Sequence, residues 1–102
     1  LPPVTLTASD TGRTVHAAEG ARVDVTLRPP EDYAPWQAPA SSDPAVLRPD
    51  GGSAGQETKA SFTALRPGRS TLRSDTHLAC PPGRMCPALA QAWTVVVAVD
   101  RR

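Results

Sequence analysis

Four residues that can bind a soft metal or form a disulfide stand close together in this sequence: His77, Cys80, Met85 and Cys86. Copper(I) accepts all of these side chains as ligands, so a copper-binding domain is one interpretation. Oxidised cysteines bind no metal, and zinc sites need a closer cysteine pair together with a second pair. An even cysteine count in a small, proline-rich chain favours a disulfide and an oxidising compartment. We therefore predict a Cys80–Cys86 disulfide in a secreted or cell-envelope-attached protein, with no metal and no cofactor.

That disulfide would close a ring of seven residues and remove roughly 2 kcal/mol of chain entropy from the unfolded state. Prolines stiffen the same segment, which favours a rigid loop displayed for binding. We expect Pro82, Arg84 and Met85 to contact a partner at its tip. The alternative is a disulfide that only holds a long loop in place.

The sequence contains no recognisable catalytic motif. His16 and His77 have no neighbouring serine or cysteine pattern of a nucleophile elbow or thiol protease. The glycines Gly51, Gly52 and Gly55 lack the Lys-Ser/Thr that follows a phosphate-binding loop. The sequence therefore predicts a protein that is not an enzyme and has no catalytic residues.

A second candidate binding segment spans residues 28–36 and contains the only tyrosine and one of the two tryptophans. Loops at one end of a β-sandwich often carry recognition, and tyrosine is enriched at the centres of interfaces. We expect Trp36 to enter the core. The residues expected to contact a partner here are Glu31, Asp32, Tyr33 and Pro35.

The elements that must position these segments are strands, because apolar residues recur with a period of two. Val23, Val25 and Leu27 alternate with polar residues, and residues 93–99 are apolar on both faces, as in a strand with two neighbours. Short strands separated by turn residues predict an all-β fold, an immunoglobulin-like antiparallel β-sandwich of about seven strands. We expect one such domain over residues 1–102.

Size and charge exclude several classes of partner. The 102 residues carry 11 Lys+Arg against 10 Asp+Glu, a formal net charge of +1, which argues against nucleic acid as a partner. The longest apolar run, residues 93–99, is far shorter than the roughly 20 residues of a membrane span. Since the sequence begins without Met and has no basic-then-apolar leader, we expect a removed signal peptide or a trimmed chain.

Several stretches are spread along nearly the whole chain: VTLT at residues 4–7, DTGRTV at 10–15, GARVDVTL at 20–27, YAPW at 33–36, SDPAVL at 42–47, ASFTAL at 60–65, Pro67-Gly68 and WTVVV at 93–97. In this order they resemble chagasin-type inhibitors of papain-like cysteine proteases. In that family an immunoglobulin-like sandwich presents three loops at one end, which plug the protease cleft. The resemblance therefore implies a protein partner, a papain-like cysteine protease.

The three inhibitory loops of the family are matched unequally. The first has the form Asn-Pro-Thr-Thr-Gly-Tyr/Phe-x-Trp, and here Tyr33 and Trp36 remain, with one extra residue between them and no Thr-Thr-Gly. The Gly-rich second loop is matched by Gly51, Gly52 and Gly55 within residues 49–55, and we expect these glycines to contact a partner. The third, Arg-Pro-Trp, is absent, and the cysteine segment stands in its place.

The resemblance implies an exported protein-binding domain, similar to a cysteine protease inhibitor, that binds through these three loops at one end of the sandwich. The alternatives are a non-inhibitory structural or adhesive module of a bacterial cell-envelope lipoprotein, or the copper-binding domain.

Overall fold

The alternation of apolar and polar residues produces strands with one buried face. In β3 (Arg22–Leu27) the side chains of Val23, Val25 and Leu27 are buried, whereas the intervening residues are exposed or half-buried. The strand β6 (Thr58–Ala64) repeats the pattern beside it, with Leu27 opposite Thr58. Burial of one face against a second layer accounts for the stability of such strands.

The computed structural model describes residues 3–29, 33–53, 57–77, 83 and 90–101. Within these ranges eight strands form two four-stranded sheets. The strands are β1 (Val4–Thr7), β2 (Thr14–Ala18), β3, β4 (Ala40–Ser41), β5 (Leu47–Ser53), β6, β7 (Gly68–His77) and β8 (Ala90–Asp100). The first sheet has the order β1-β3-β6-β5 and the second the order β2-β8-β7-β4.

The two sheets share one core, which confirms the predicted β-sandwich. Phe62 and Leu6 enter it from the first sheet, and Trp93 and Leu72 enter it from the second. The Trp93 indole N–H donates to the carbonyl of Thr7, 3.0 Å away. Because every buried polar side-chain atom of the described residues has a partner, the core carries no desolvation penalty from unpaired groups.

Both sheets contain one parallel strand pair, in addition to the antiparallel pairs predicted from the sequence. β1 pairs with β3 and β2 pairs with β8 in parallel, because the chain changes sheets at a 3-10 turn over Ala8–Asp10. Alternation along one strand fixes which face is buried, but it carries no information about the direction of the neighbouring strand. Among the described residues, no helix has the length and apolar character needed to cross a membrane.

Candidate functional site

Strand directions bring three connections, two long and one short, to one end of the sandwich. In the first sheet, β3 ends at Leu27 opposite Thr58, where antiparallel β6 begins, and β5 ends at Ser53 beside Lys59. In the second sheet, β7 ends at His77 opposite Ala90, where β8 begins. The connections that contain residues 28–39, 54–57 and 78–89 therefore leave from these strand ends.

Hydrogen bonds between the layers show that these strand ends belong to one end of the molecule. The backbone N–H of Ala34 donates to the carbonyl of His77 at 2.8 Å, and the hydroxyl of Thr58 donates to the carbonyl of Trp36 at 2.7 Å. Residues 33–36 thus bridge the end of β7 and the start of β6. We term this end, marked by Leu27, Ser53, Thr58, His77 and Ala90, the loop end.

Buried hydroxyl groups hold residues 33–41 along the edge of β7. Only two backbone N–H groups between Tyr33 and Pro39 bond to β7, from Ala34 to His77 and from Gln37 to Asp75, and the prolines in this stretch have no N–H to contribute. Hydroxyl side chains bond to three carbonyls of this stretch. Thr76 and Ser74 of β7 donate to the carbonyls of Ala34 and Gln37, and Thr58 of β6 donates to that of Trp36.

The sequence offered a signal for this arrangement in the pattern of β7. Its inward positions Ser70, Leu72, Ser74 and Thr76 are buried, while its outward positions carry Thr, Asp, His and Arg residues. Small hydroxyl residues that alternate with mostly charged ones mark a strand whose inner face pairs with backbone rather than with apolar side chains. These positioning residues were missed by a search for apolar alternation alone.

Trp36 is buried, as expected, with 4% of its surface exposed. Its indole N–H donates to the carbonyl of Arg28 at 3.0 Å, so the ring ties the start of the connection to its later part. The neighbouring Tyr33 is half-buried, and Pro35 is exposed. The remaining predicted contact residues of these segments lie outside the described residues: Glu31, Asp32, Gly55, Pro82, Arg84 and Met85, together with Cys80 and Cys86.

Part of the predicted Gly-rich loop is in fact strand, because Pro49–Ser53 belongs to β5. The register shifts between Pro49 and Gly51, and Gly51 has φ of 137°, a conformation that favours glycine. A Cβ atom on Gly52 would lie 2.2 Å from the carbonyl oxygen of Lys59. Both glycines are exposed and have backbone roles: Gly51 adopts the positive φ, and Gly52 allows the close approach of β5 to β6.

A charged cluster lies on the outer face of the first sheet beside the loop end. Glu57 is 2.5 Å from Arg28 Nε and 3.3 Å from Lys59 Nζ. The hydrogen bond from Arg28, followed by that from Lys59, holds the pKa of Glu57 below its usual value. Glu57 is therefore ionised at neutral pH and links the end of β3 to the start of β6.

No group of three or more potential metal-binding His, Cys, Asp or Glu residues occurs within the described ranges. His16 pairs with Asp100, 3.1 Å away, at the end of the sandwich opposite the loop end. His77 is exposed at the loop end. The two histidines are thus at opposite ends and do not share a site.

Solved structures with the same fold include inhibitors of cysteine proteases. EhICP2, the cysteine protease inhibitor from Entamoeba histolytica, has a TM-score of 0.67 and 15% identity, over 95% of this chain and 94% of that chain. PbICP-C, solved in complex with falcipain-2, has a TM-score of 0.58 and 10% identity, over 95% and 99%. Amebosin has a TM-score of 0.51 and 17% identity, over 97% and 99%.

Neither a family model nor a curated protein matches the sequence. The resemblance to chagasin-type inhibitors is confirmed as a likeness of fold that spans nearly the full length of each chain.

Proposed function

We propose that this protein, which has the fold of chagasin-type inhibitors, binds and inhibits a papain-like cysteine protease through its loop end. The observation that carries the proposal is the convergence of three connections, two of them long, at one end of a sandwich whose fold is that of EhICP2 and PbICP-C. Inhibition would occur by occlusion, since segments that fill a cleft exclude the substrate without any chemistry of their own.

The way residues 33–41 are held supports this proposal. Binding is weakened by the entropy lost when a free loop becomes ordered, so a segment ordered beforehand binds more tightly. Here Thr58, Ser74 and Thr76 already fix the backbone on which the half-buried Tyr33 lies. Tyrosine suits such a position because it offers a large contact area at the cost of few rotamers.

The cysteine segment would be the third contact. Cys80 and Cys86 fall within the connection between β7 and β8, which leaves from the loop end. We propose that the protein is exported and that a disulfide between them stiffens this segment. Arg84 and Met85 stand between the two cysteines in the sequence and would be displayed to the partner.

Inhibition of papain by the purified chain tests the proposal. We expect competitive inhibition with a constant on the order of nanomolar, with the chain left uncleaved. Tyr33→Ala should raise the constant by roughly 5- to 100-fold. The matched control is Leu65→Ala, an exposed apolar residue at the opposite end, which should leave inhibition unchanged.

The result that would overturn the proposal is a folded chain that inhibits none of several papain-like enzymes at micromolar concentration. That outcome would favour the structural or adhesive module of the cell envelope instead.

A further inference from the structure

A pocket of about 450 Å³ lies on the outer face of the first sheet and adjoins the loop end. Thr7, Thr26 and Lys59 form a row in it across β1, β3 and β6. Arg28, which begins the connection after β3, and Glu57, which precedes β6, also line it. Charged groups and hydroxyls thus line a depression beside the strand ends that mark the loop end.

Among the described residues that line this pocket, the positively charged side chains outnumber the negatively charged ones by one. Arg28 and Lys59 share a single carboxylate, that of Glu57. The Arg28 side chain is 82% exposed and the Lys59 side chain 64% exposed, whereas that of Glu57 is only 27% exposed. An incoming anion would therefore meet the two cations before the carboxylate.

The guanidinium group of Arg28 has more N–H donors than its hydrogen bond to Glu57 uses. It bonds to Glu57 through Nε, and its two terminal nitrogens make no hydrogen bond to any described residue. A guanidinium group with free terminal N–H groups can bind a carboxylate through two parallel hydrogen bonds. The hydroxyl of Thr26 lies in the same pocket.

We propose that this pocket receives an acidic side chain of the protein that binds the loop end. The inference rests on the proposed function and adds a fourth contact region, on the sheet face rather than on a connection. Arg28 joins the two regions, because it directly follows β3 and begins the connection that leads to Tyr33. Charge complementarity of this kind raises association rates and selects among partners.

Three charge variants should differ in their affinity for papain and for the other papain-like enzymes tested above. Lys59→Gln should weaken the complex by about three- to tenfold, and Glu57→Gln should strengthen it by a similar factor, because the carboxylate that competes with the partner is removed. Arg66→Gln, which removes one cation from the turn at the opposite end, should have no effect. The differences should shrink as salt is raised.

A footprint gives an independent readout, because Lys59 is the only lysine in the sequence. Reductive methylation of the chain should modify Lys59 readily when the chain is free and slowly in the complex. A complex that forms with unchanged Lys59 labelling, and with equal affinities for all three variants, overturns the pocket but leaves the proposed function standing. The absence of any complex overturns the proposed function, and this inference with it.

Discussion

The two ends of the sandwich are closed by different kinds of hydrogen bond. At the end opposite the loop end, which we term the turn end, residues 19–21, 42–46 and 65–67 connect the strands. Backbone pairs join these short turns: Gly20 N–H donates to Ala64, Ala64 N–H to Ala21 and Leu65 N–H to Val46, at 2.7 to 2.9 Å. At the turn over residues 42–46, side-chain oxygens also accept from backbone N–H groups, Ser70 Oγ from Asp43 and Ser42 Oγ from Thr71, at 3.1 and 2.8 Å.

At the loop end, side chains act as donors to backbone carbonyls, beside the two backbone bonds from Ala34 and Gln37 to β7. The indoles of Trp36 and Trp93 donate to the carbonyls of Arg28 and Thr7, and the hydroxyls of Thr58 and Thr76 donate to residues 36 and 34. The shape of this end therefore depends on particular residue types. Substitutions can remodel it while the strand ladders and the turn end stay intact, which is the property a recognition surface needs.

The largest effect is expected from Trp36→Ala, which removes a buried ring and its bond to Arg28. We expect a loss of about 3–5 kcal/mol in the free energy of unfolding, measured in urea. Trp36→Phe keeps most of the packing and removes the N–H donor, so it should cost about 1–2 kcal/mol. If both variants unfold at the wild-type midpoint, the indole does not hold the loop end.

A smaller loss is expected from Gly52→Ala. The new Cβ would meet the Lys59 carbonyl at 2.2 Å, and because both groups belong to backbones, β5 must move away from β6. We expect a loss of about 2–3 kcal/mol. The matched control is Gly12→Ala, with φ of 82° and no atom within 4 Å of the added Cβ, which should cost only about 1 kcal/mol.

Equal losses for the two glycine variants would mean that β5 does not depend on close approach at Gly52. The paired measurement also separates the two reasons for which glycine is used in this chain, steric room and positive φ.

Much of the sandwich could be predicted from the sequence because β3 and β6 bury regular apolar alternation and β8 contains a continuous apolar run. β5 could not, since only Leu47 of its seven residues is buried and its polar composition matches that of a loop. β4 has two residues and makes no pattern. The loop end was expected as a location from the resemblance, but the hydroxyls that hold it are polar residues that alternation rules assign to the surface.

A disulfide between Cys80 and Cys86 would add a covalent bond to the side-chain hydrogen bonds of the loop end. We expect Cys80→Ser to lower the free energy of unfolding by about 2 kcal/mol. Alkylation of the freshly exported protein, followed by intact mass measurement, should label no thiol before reduction and two after it. Two labelled thiols without reductant would contradict the disulfide, and titration with copper(I) would then test the alternative.

The smallest effect is expected from Thr76→Val, which removes the hydroxyl that donates to Ala34 and keeps the volume of the side chain. The half-buried carbonyl of Ala34 then lacks its hydroxyl partner, which should lower the free energy of unfolding by about 1 kcal/mol. Hydrogen exchange should quicken at the N–H groups of Ala34 and Gln37, which bond to β7. Exchange at Gly20, in the turn end, should stay unchanged.

The matched control for this prediction is Thr71→Val, on the outward face of the same strand. Its hydroxyl makes no hydrogen bond to a described residue, so neither stability nor exchange should change by more than about 0.5 kcal/mol. Faster exchange at Gly20 in Thr76→Val would show that the two ends open together. The hydroxyls would then stabilise the whole sandwich, and the loop end would have no adjustable structure of its own.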